Sequence, residues 1–477
     1  MKPKNKKLIN RTGLNPAKSI TILFLFSIAL CCSCKKQLAL LPSDSIPPAT
    51  ALSTVTDLQK GLYGVLAANN ASNGIYIGSI LADDCKLSNS NRGQGQTTFK
   101  WQYTSVEAEH NADFATYYTM INDINSILAI IDGVAATSAS DIALKKRIKA
   151  ELIALRGIAH FEVLIRFMSN GYDANSLGVP IMLTSDLLGQ PARSKVGDVI
   201  TQVSADLAAG RAESTIPNAP DDVVRLSQAT IAAYQARVSL LTKDWPGAVT
   251  HAQEAISMSG ATLATGQDFI NYWSDANEIE TLWKYRNNAT PQLFWTDTNG
   301  DVFFEPSDKL KGEFDRVNDI RFQAYFTINE AAADTALITK YPGSSTGPQI
   351  NDLKLVRVAE LYLDLAEAYA QENDLANSAA NLNTLRAARI TGYVPVILTS
   401  QQQAIQAALD ERFKELCYER FRFFDIKRNA LPINRLASDV QSPEWQNLQA
   451  SDYHFALPIP QHEMFANGNM VQNPGYQ

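Results

Sequence analysis

Residues 353–389 read LKLVRVAELYLDLAEAYAQENDLANSAANLNTLRAAR, and their spacing decides the fold. Leu355, Ala359, Tyr362, Leu363, Ala366, Tyr369 and Ala370 recur at the three-and-four intervals that line up along one side of a helix. The polar run Gln371-Glu372-Asn373-Asp374 interrupts the pattern, and Asn373 or Asp374 is suited to cap a second helix. That helix has Leu375, Ala379, Leu382 and Leu385 on its inner side and ends near Arg389. Small alanines among the larger side chains let two antiparallel helices sit close together. The stretch therefore predicts a helical hairpin.

A shift of about 130 residues pairs Ala359, Ala366, Asp374 and Leu375 with Ala229, Ala236, Asp244 and Trp245, so Leu226 to Met258 reads as a second copy. Each copy has roughly the length of a tetratricopeptide repeat, a unit that cannot bury its apolar side alone and therefore stacks. The simpler alternative is two unrelated amphipathic hairpins. The repeat reading predicts a mainly α protein built on stacked helix pairs.

With 45% hydrophobic and 19% charged residues, the chain has the means to build a large core and is not globally disordered. The formal net charge is -7, but residues 1–34 carry six basic and no acidic side chains, so the remainder stands at -13. A body that acidic, without a Lys/Arg cluster, argues against nucleic acid as a partner. Of the five cysteines, Cys31, Cys32 and Cys34 crowd the N-terminus; Cys85 and Cys417 are left in the body, without metal-binding spacing, and are expected to be separate buried thiols.

The N-terminus reads as an address. Lys2, Lys4, Lys6, Lys7, Arg11 and Lys18 precede an apolar run from Ile20 to Leu30 that is too short to span a bilayer, the pattern of a secretory signal peptide. A small residue before a cysteine then looks like a bacterial lipobox. Cys34, preceded by Ser33 and followed by Lys35-Lys36, is the best candidate for lipidation, with Cys32 and Cys31 weaker choices. The expected organisation is a signal peptide over 1–33, a lipidated tether over 34–49 and one domain over 50–477, with irregular insertions at about 69–105 and 260–351. Within that domain, helices are expected from Ser53 or Thr54 to Ala68, Val106 to Ile131, Ile142 to Phe167, Val196 to Ala209 and Ser400 to Arg420, and a short strand at Thr281–Tyr285.

Five stretches in order resemble the SusD/RagB family of outer-membrane lipoproteins from Bacteroidetes. They are the lipobox at Cys34; Ala154-Leu155-Arg156-Gly157 through Phe161 with Gly178-Val179-Pro180; Arg357 to Leu363; Glu411 to Leu416 leading into Arg422-Phe423-Phe424-Asp425; and Leu457-Pro458-Ile459-Pro460 with Gln472 to Tyr476. The resemblance covers essentially the whole chain. It implies four tetratricopeptide-like helix pairs supporting an irregular, ligand-facing half. It also implies a lipid-anchored place at the cell outer membrane and pairing with a SusC-like TonB-dependent transporter, for which the protein captures nutrient, usually oligosaccharide. Two departures stand out: the 260–351 segment is short for the family, and the familiar Phe near Thr50 is absent.

Sugars are held by aromatic rings against their C–H faces and by Asn, Arg, Asp or Gln around their hydroxyl rims. Trp101, with Asn91 and Arg92 in the same insertion, is the first platform candidate; Trp295, beside Phe294 and Asp297, is the second; Trp273 with Tyr272 is the third. Each competes with a plain core role. Trp283 and Trp245 read as structural. No catalytic residue, metal ligand or cofactor site emerges. Gly343-Ser344-Ser345-Thr346-Gly347 spells GxSxG but lies between prolines in a loop, no His lies in HExxH, and Asp83-Asp84 lacks an identifiable acid partner. The expected function is capture of oligosaccharide without catalysis. The alternatives are peptide or glycopeptide capture on the same scaffold, or a helical-repeat assembly protein with no small ligand.

Overall fold

A computed structural model describes residues 48–68, 72–186, 188–287, 294–297, 299–329 and 335–476. The signal peptide, Cys34 and nearly all of the tether lie outside the described residues. The chain divides into two units, Met1–Ser53 and Thr54–Gln477. The first contributes one described helical turn, Pro48–Ala51; all that follows concerns the second.

The second unit opens with α1 (Val55–Ala68), whose Thr54 hydroxyl accepts the Asp57 N–H at 3.2 Å, and with α2 (Ser72–Ile80) and strand β1 (Cys85–Leu87). The scaffold then runs through α3 (Ala108–Ile131), α4 (Ala139–Phe167), α5 (Val196–Arg211), α6 (Gln228–Thr242) and α7 (Trp245–Ser259). After an irregular region come α8 (Gly266–Trp273), β2 (Thr281–Tyr285), β3 (Phe304–Pro306), β4 (Phe326–Asn329), β5 (Thr335–Ile338) and β6 (Leu353–Arg357). The stack resumes with α9 (Val358–Gln371), α10 (Leu375–Arg389) and α11 (Gln401–Glu415), and α12 (Arg422–Arg428) follows.

Helices α3 to α7 and α9 to α11 pack on one another in chain order, α7 lying directly against α9, so the repeat stack is continuous across the inserted strands. This is the expected mainly α, tetratricopeptide-like scaffold. The two copies of the repeat turn alike. Lys243 and Asn373 both take the left-handed conformation, at φ 62° and 60°. The next residue, Asp244 or Asp374, then caps the second helix by accepting the N–H of Gly247 or Asn377, each at 3.1 Å. Ala359, Leu363, Ala366, Leu382 and Leu385 form one buried cluster with Ala404 and Ala408 of α11. Close approach elsewhere in the stack is bought by glycine: a Cβ on Gly157 of α4 would sit 2.9 Å from the Asp206 Cβ of α5.

Three expectations need correction. Leu355 lies on β6, not on the helix, because residues 353–357 are buried throughout and pair antiparallel with β2 in the register Thr281↔Arg357 and Tyr285↔Leu353. The first insertion, expected to be irregular, contains α2, most of whose residues are buried, so it shows no one-sided apolar pattern. The last long helix stops at Glu415 rather than Arg420, and Tyr418 and Arg420 beyond it adopt positive φ. Cys85 and Cys417 are free and buried, as expected.

Candidate functional site

The two insertions meet. Strand β1 pairs antiparallel with β3 in the register Cys85↔Pro306, Lys86↔Glu305 and Leu87↔Phe304, and the Ser88 N–H extends the ladder to the Phe303 carbonyl at 3.1 Å. Beyond the ladder, the Asn91 amide donates to the carbonyls of Phe303 (3.0 Å) and Gln94 (2.9 Å), while its oxygen accepts from the Gly93 N–H (2.8 Å) and the Gln96 amide (2.9 Å). Gly95, at φ 61°, leaves no room for a Cβ against the Tyr76 hydroxyl. On the other insertion the Phe303 N–H donates to the Trp295 carbonyl at 2.7 Å, and an isolated bridge joins Thr296 to Val302. The Asp297 carboxylate closes that turn by accepting the N–H groups of Asn299 (2.8 Å) and Asp301 (2.9 Å). The backbone bond from Asp301 holds the Asp297 carboxyl below its usual range. Arg92 then bridges the insertions through an ion pair with Asp301 at 2.6 Å.

Asn91, Arg92, Phe294 and Trp295 are thus brought to one place. Their roles differ. Every hydrogen-bonding group of the Asn91 amide is used to hold the loop, so Asn91 shapes the site. Arg92 is 71% exposed and pairs with Asp301 through one terminal nitrogen, so its remaining donors face solvent. Trp295 is buried in the same junction, 6% exposed, among Tyr418 (5.3 Å), Phe294 (5.6 Å) and Tyr76 (6.2 Å), and its indole N–H has no partner among the described residues. The junction thus combines a buried aromatic cluster with an exposed arginine paired to Asp301.

Trp101 and Trp273 are not part of it. Trp101 is buried at φ 54°; its indole N–H donates to the Leu81 carbonyl at 3.0 Å, and the Arg435 guanidinium lies 4.1 Å from its ring centre. Arg435 is fixed there by the carbonyls of Ile80, Leu81, Ala82 and Phe99, so the ring is sealed. Trp273 is 1% exposed under the Lys340 ammonium at 4.5 Å, with Tyr325 and Tyr341 edge-on. Both are core residues, and neither offers a face to a sugar. Trp283 and His160 are core residues too, the imidazole of His160 lying 2.9 Å from the Arg156 carbonyl and accepting the Met182 N–H at 3.1 Å. Sequence reasoning passed over Asp301, although Asp297 to Asp301 carries a turn signature directly after the Phe294-Trp295 pair. It also left Trp445 unweighed, a half-buried ring with the Lys100 ammonium 4.4 Å from its centre.

Asp83 and Asp84 lie under this junction, both buried. Burial alone would raise the Asp83 carboxyl, but Arg422, bonded at 2.6 and 2.8 Å, and Lys309 at 2.6 Å hold it well below the carboxylate range. Asp84 has no such partner; burial, with the Asp83 charge beside it, pushes its carboxyl up to about 8. Its main-chain carbonyl accepts the Ser307 N–H (3.0 Å) and the Tyr418 hydroxyl (2.9 Å), so the pair braces the junction from within.

A helix-pair stack carrying an irregular half where two insertions join is the fold of a known class. The SusD family profile matches residues 327–476, and a second profile, described as starch-binding associating with outer membrane, matches 41–240. This chain belongs to the SusD family. A SusD-like protein of Formosa agariphila is 22% identical over 533 residues, covering 96% of this chain and 99% of that one. Among solved structures, a SusD superfamily protein from Bacteroides thetaiotaomicron matches with a TM-score of 0.78 at 24% identity, over 88% of this chain and 100% of its own. A putative sugar binding protein from Bacteroides vulgatus matches with a TM-score of 0.77 at 23% identity, over 90% and 100%.

Proposed function

We propose that this protein captures oligosaccharide without catalysis and hands it to a SusC-like TonB-dependent transporter in the outer membrane. In this reading residues 1–33 are removed as a signal peptide, Cys34 carries the lipid, residues 34–49 form the tether and the rest is one binding domain. Family membership supports the reading, as does the description of one matching profile as starch-binding and outer-membrane associated. The observation that carries it is the meeting of the two insertions, which brings the Arg92–Asp301 ion pair to the same junction as the Trp295 and Phe294 rings. Guanidinium and carboxylate groups suit a hydroxyl rim, and rings suit C–H faces. The burial of Asp83 and Asp84 favours binding over hydrolysis, since neither carboxyl reaches solvent.

Affinity electrophoresis through gels containing single polysaccharides tests the reading directly. The wild type should be retarded by at least one of them, and Arg92→Ala and Trp295→Ala should migrate faster there while melting as cooperatively as the parent. Migration unchanged by any polysaccharide would remove the carbohydrate reading. The anchor is tested separately: labelled palmitate should enter the wild type and not Cys34→Ser.

A further inference from the structure

We propose a second saccharide subsite, away from the Arg92 and Trp295 junction, in a pocket of about 330 Å³ between the end of α1, the 222–224 loop and the end of β2. The inference rests on the carbohydrate reading above and goes beyond it by placing a separate site and naming what it takes.

The pocket is firmly built. Its floor is Trp283, 1% exposed, with Leu66 and Leu355. The Trp283 indole donates to the Val224 carbonyl at 3.1 Å and the Lys284 N–H to the Val223 carbonyl at 2.9 Å, which pins the loop to the strand. Its walls hold side chains that the fold does not use. Tyr63 is 39% exposed, Tyr285 is half-buried and Arg286 is exposed. Among the described residues none of these three makes a side-chain hydrogen bond, ion pair or ring contact, unlike the interior arginines, which are paired with carboxylates or carbonyls throughout. Asp222 accepts the Val224 N–H through one carboxylate oxygen at 3.2 Å and keeps the other free.

Two phenol rings, a guanidinium and a carboxylate oxygen around an apolar floor match a glycosyl unit with vicinal hydroxyls: rings for its C–H face, Arg286 to donate and Asp222 to accept. The charges choose between neutral and acidic units. Arg286 is balanced by Asp222, and the Lys284 ammonium is already held by Asp352 at 2.6 Å and by Glu278. With no surplus positive charge the pocket takes a neutral sugar in preference to a uronate or a sulfated one. Its volume is at the lower end for small-molecule sites, which fits one or two units.

Titration calorimetry on the full chain with neutral disaccharides (maltose, cellobiose, laminaribiose, mannobiose, xylobiose) and digalacturonate tests this. The expected result is binding of one neutral disaccharide that weakens about tenfold or more in Arg286→Ala and Tyr285→Ala, the loss of a hydrogen bond to a charged group or of a ring contact. In protein labelled with 3-fluorotyrosine, that sugar should shift the resonances assigned to Tyr63 and Tyr285. Because Arg286 is exposed and unengaged, its variant should melt as the wild type does. Unchanged affinity in both variants with unshifted fluorine signals overturns the subsite while leaving the Arg92 and Trp295 reading in place. A preference for digalacturonate overturns the assigned ligand class. Absence of binding to every sugar, together with unretarded migration in the polysaccharide gels, overturns both readings.

Discussion

The apolar seam within a helix pair and the seam that joins the stack to the irregular half of this molecule are held together by different forces. In each helix pair, neighbours in sequence do the work: α9 and α10 close on a three-residue turn, cap with Asp374 and bury Leu363, Ala366, Leu382 and Leu385 against each other. The irregular half is joined to the stack by charges that arrive from far along the chain. Arg357 reaches Glu280 (3.0 Å), Glu415 (2.6 Å) and Glu419 (2.7 Å); Arg389 reaches Glu280 and Glu415; Arg321 reaches Asp319, Glu411 and Glu415. All of these groups are buried. Burial opposes ionisation of Glu415, yet Arg389, Arg357 and Arg321 hold its carboxyl well below the usual range. The difference teaches that a helix pair is specified by local pattern and the seam between the halves by partners that only the finished fold brings together.

The comparison breaks hardest at its electrostatic side. Glu415→Ala leaves three buried guanidinium groups short of a partner and should cost about 3–5 kcal/mol in denaturant unfolding. On the apolar side, Leu382→Ala should cost about 2–5 kcal/mol through lost burial and the cavity left behind. A further effect on the irregular half depends on pH. Asp84 titrates near 8 in the fold, so the folded chain retains a proton that the unfolded chain releases at lower pH. Its stabilisation is full below the usual carboxylate pKa and is lost as pH rises through about 8, opposite in sign to that of Asp83, whose contribution is lost as pH falls through its own depressed pKa. Asp84→Asn should therefore flatten the decline in melting temperature between pH 5 and pH 8.5, and a decline of equal size in the variant would contradict this. The smallest effect sharpens the repeat itself: Asp374→Ala and Asp244→Ala should each cost about 1 kcal/mol, the worth of one N-cap, and a large inequality would mean that the two turns are not equivalent.

This contrast also explains what could be read from the residues. The scaffold helices were visible because each combines a 3.6-residue apolar period with a capping side chain, as Asp374 and Asp244 do. Leu355 was misplaced because its four-residue spacing to Ala359 fits the helical period, and a strand buried throughout shows no two-residue alternation to oppose it. Helix α2 was missed because a segment buried on most sides has no amphipathic signal. At the junction, the β1–β3 pairing brings together Asn91, Arg92, Phe294 and Trp295, residues of two insertions that lie far apart in the sequence. Composition could not foresee that Arg435 would seal Trp101, since only the tertiary fold brings the two together. Nor could local spacing foresee that Lys340 would cover Trp273.

The three-residue ladder between Cys85–Leu87 and Phe304–Pro306 closes a loop that encloses much of the helix stack. Closing so long a loop is entropically unfavourable until the intervening segments have compacted, so high-separation contacts of this kind form late in folding. The junction of the two insertions is thus expected to be among the final parts to assemble, and under the proposed function ligand binding should lag behind the recovery of helical circular dichroism in a refolding experiment.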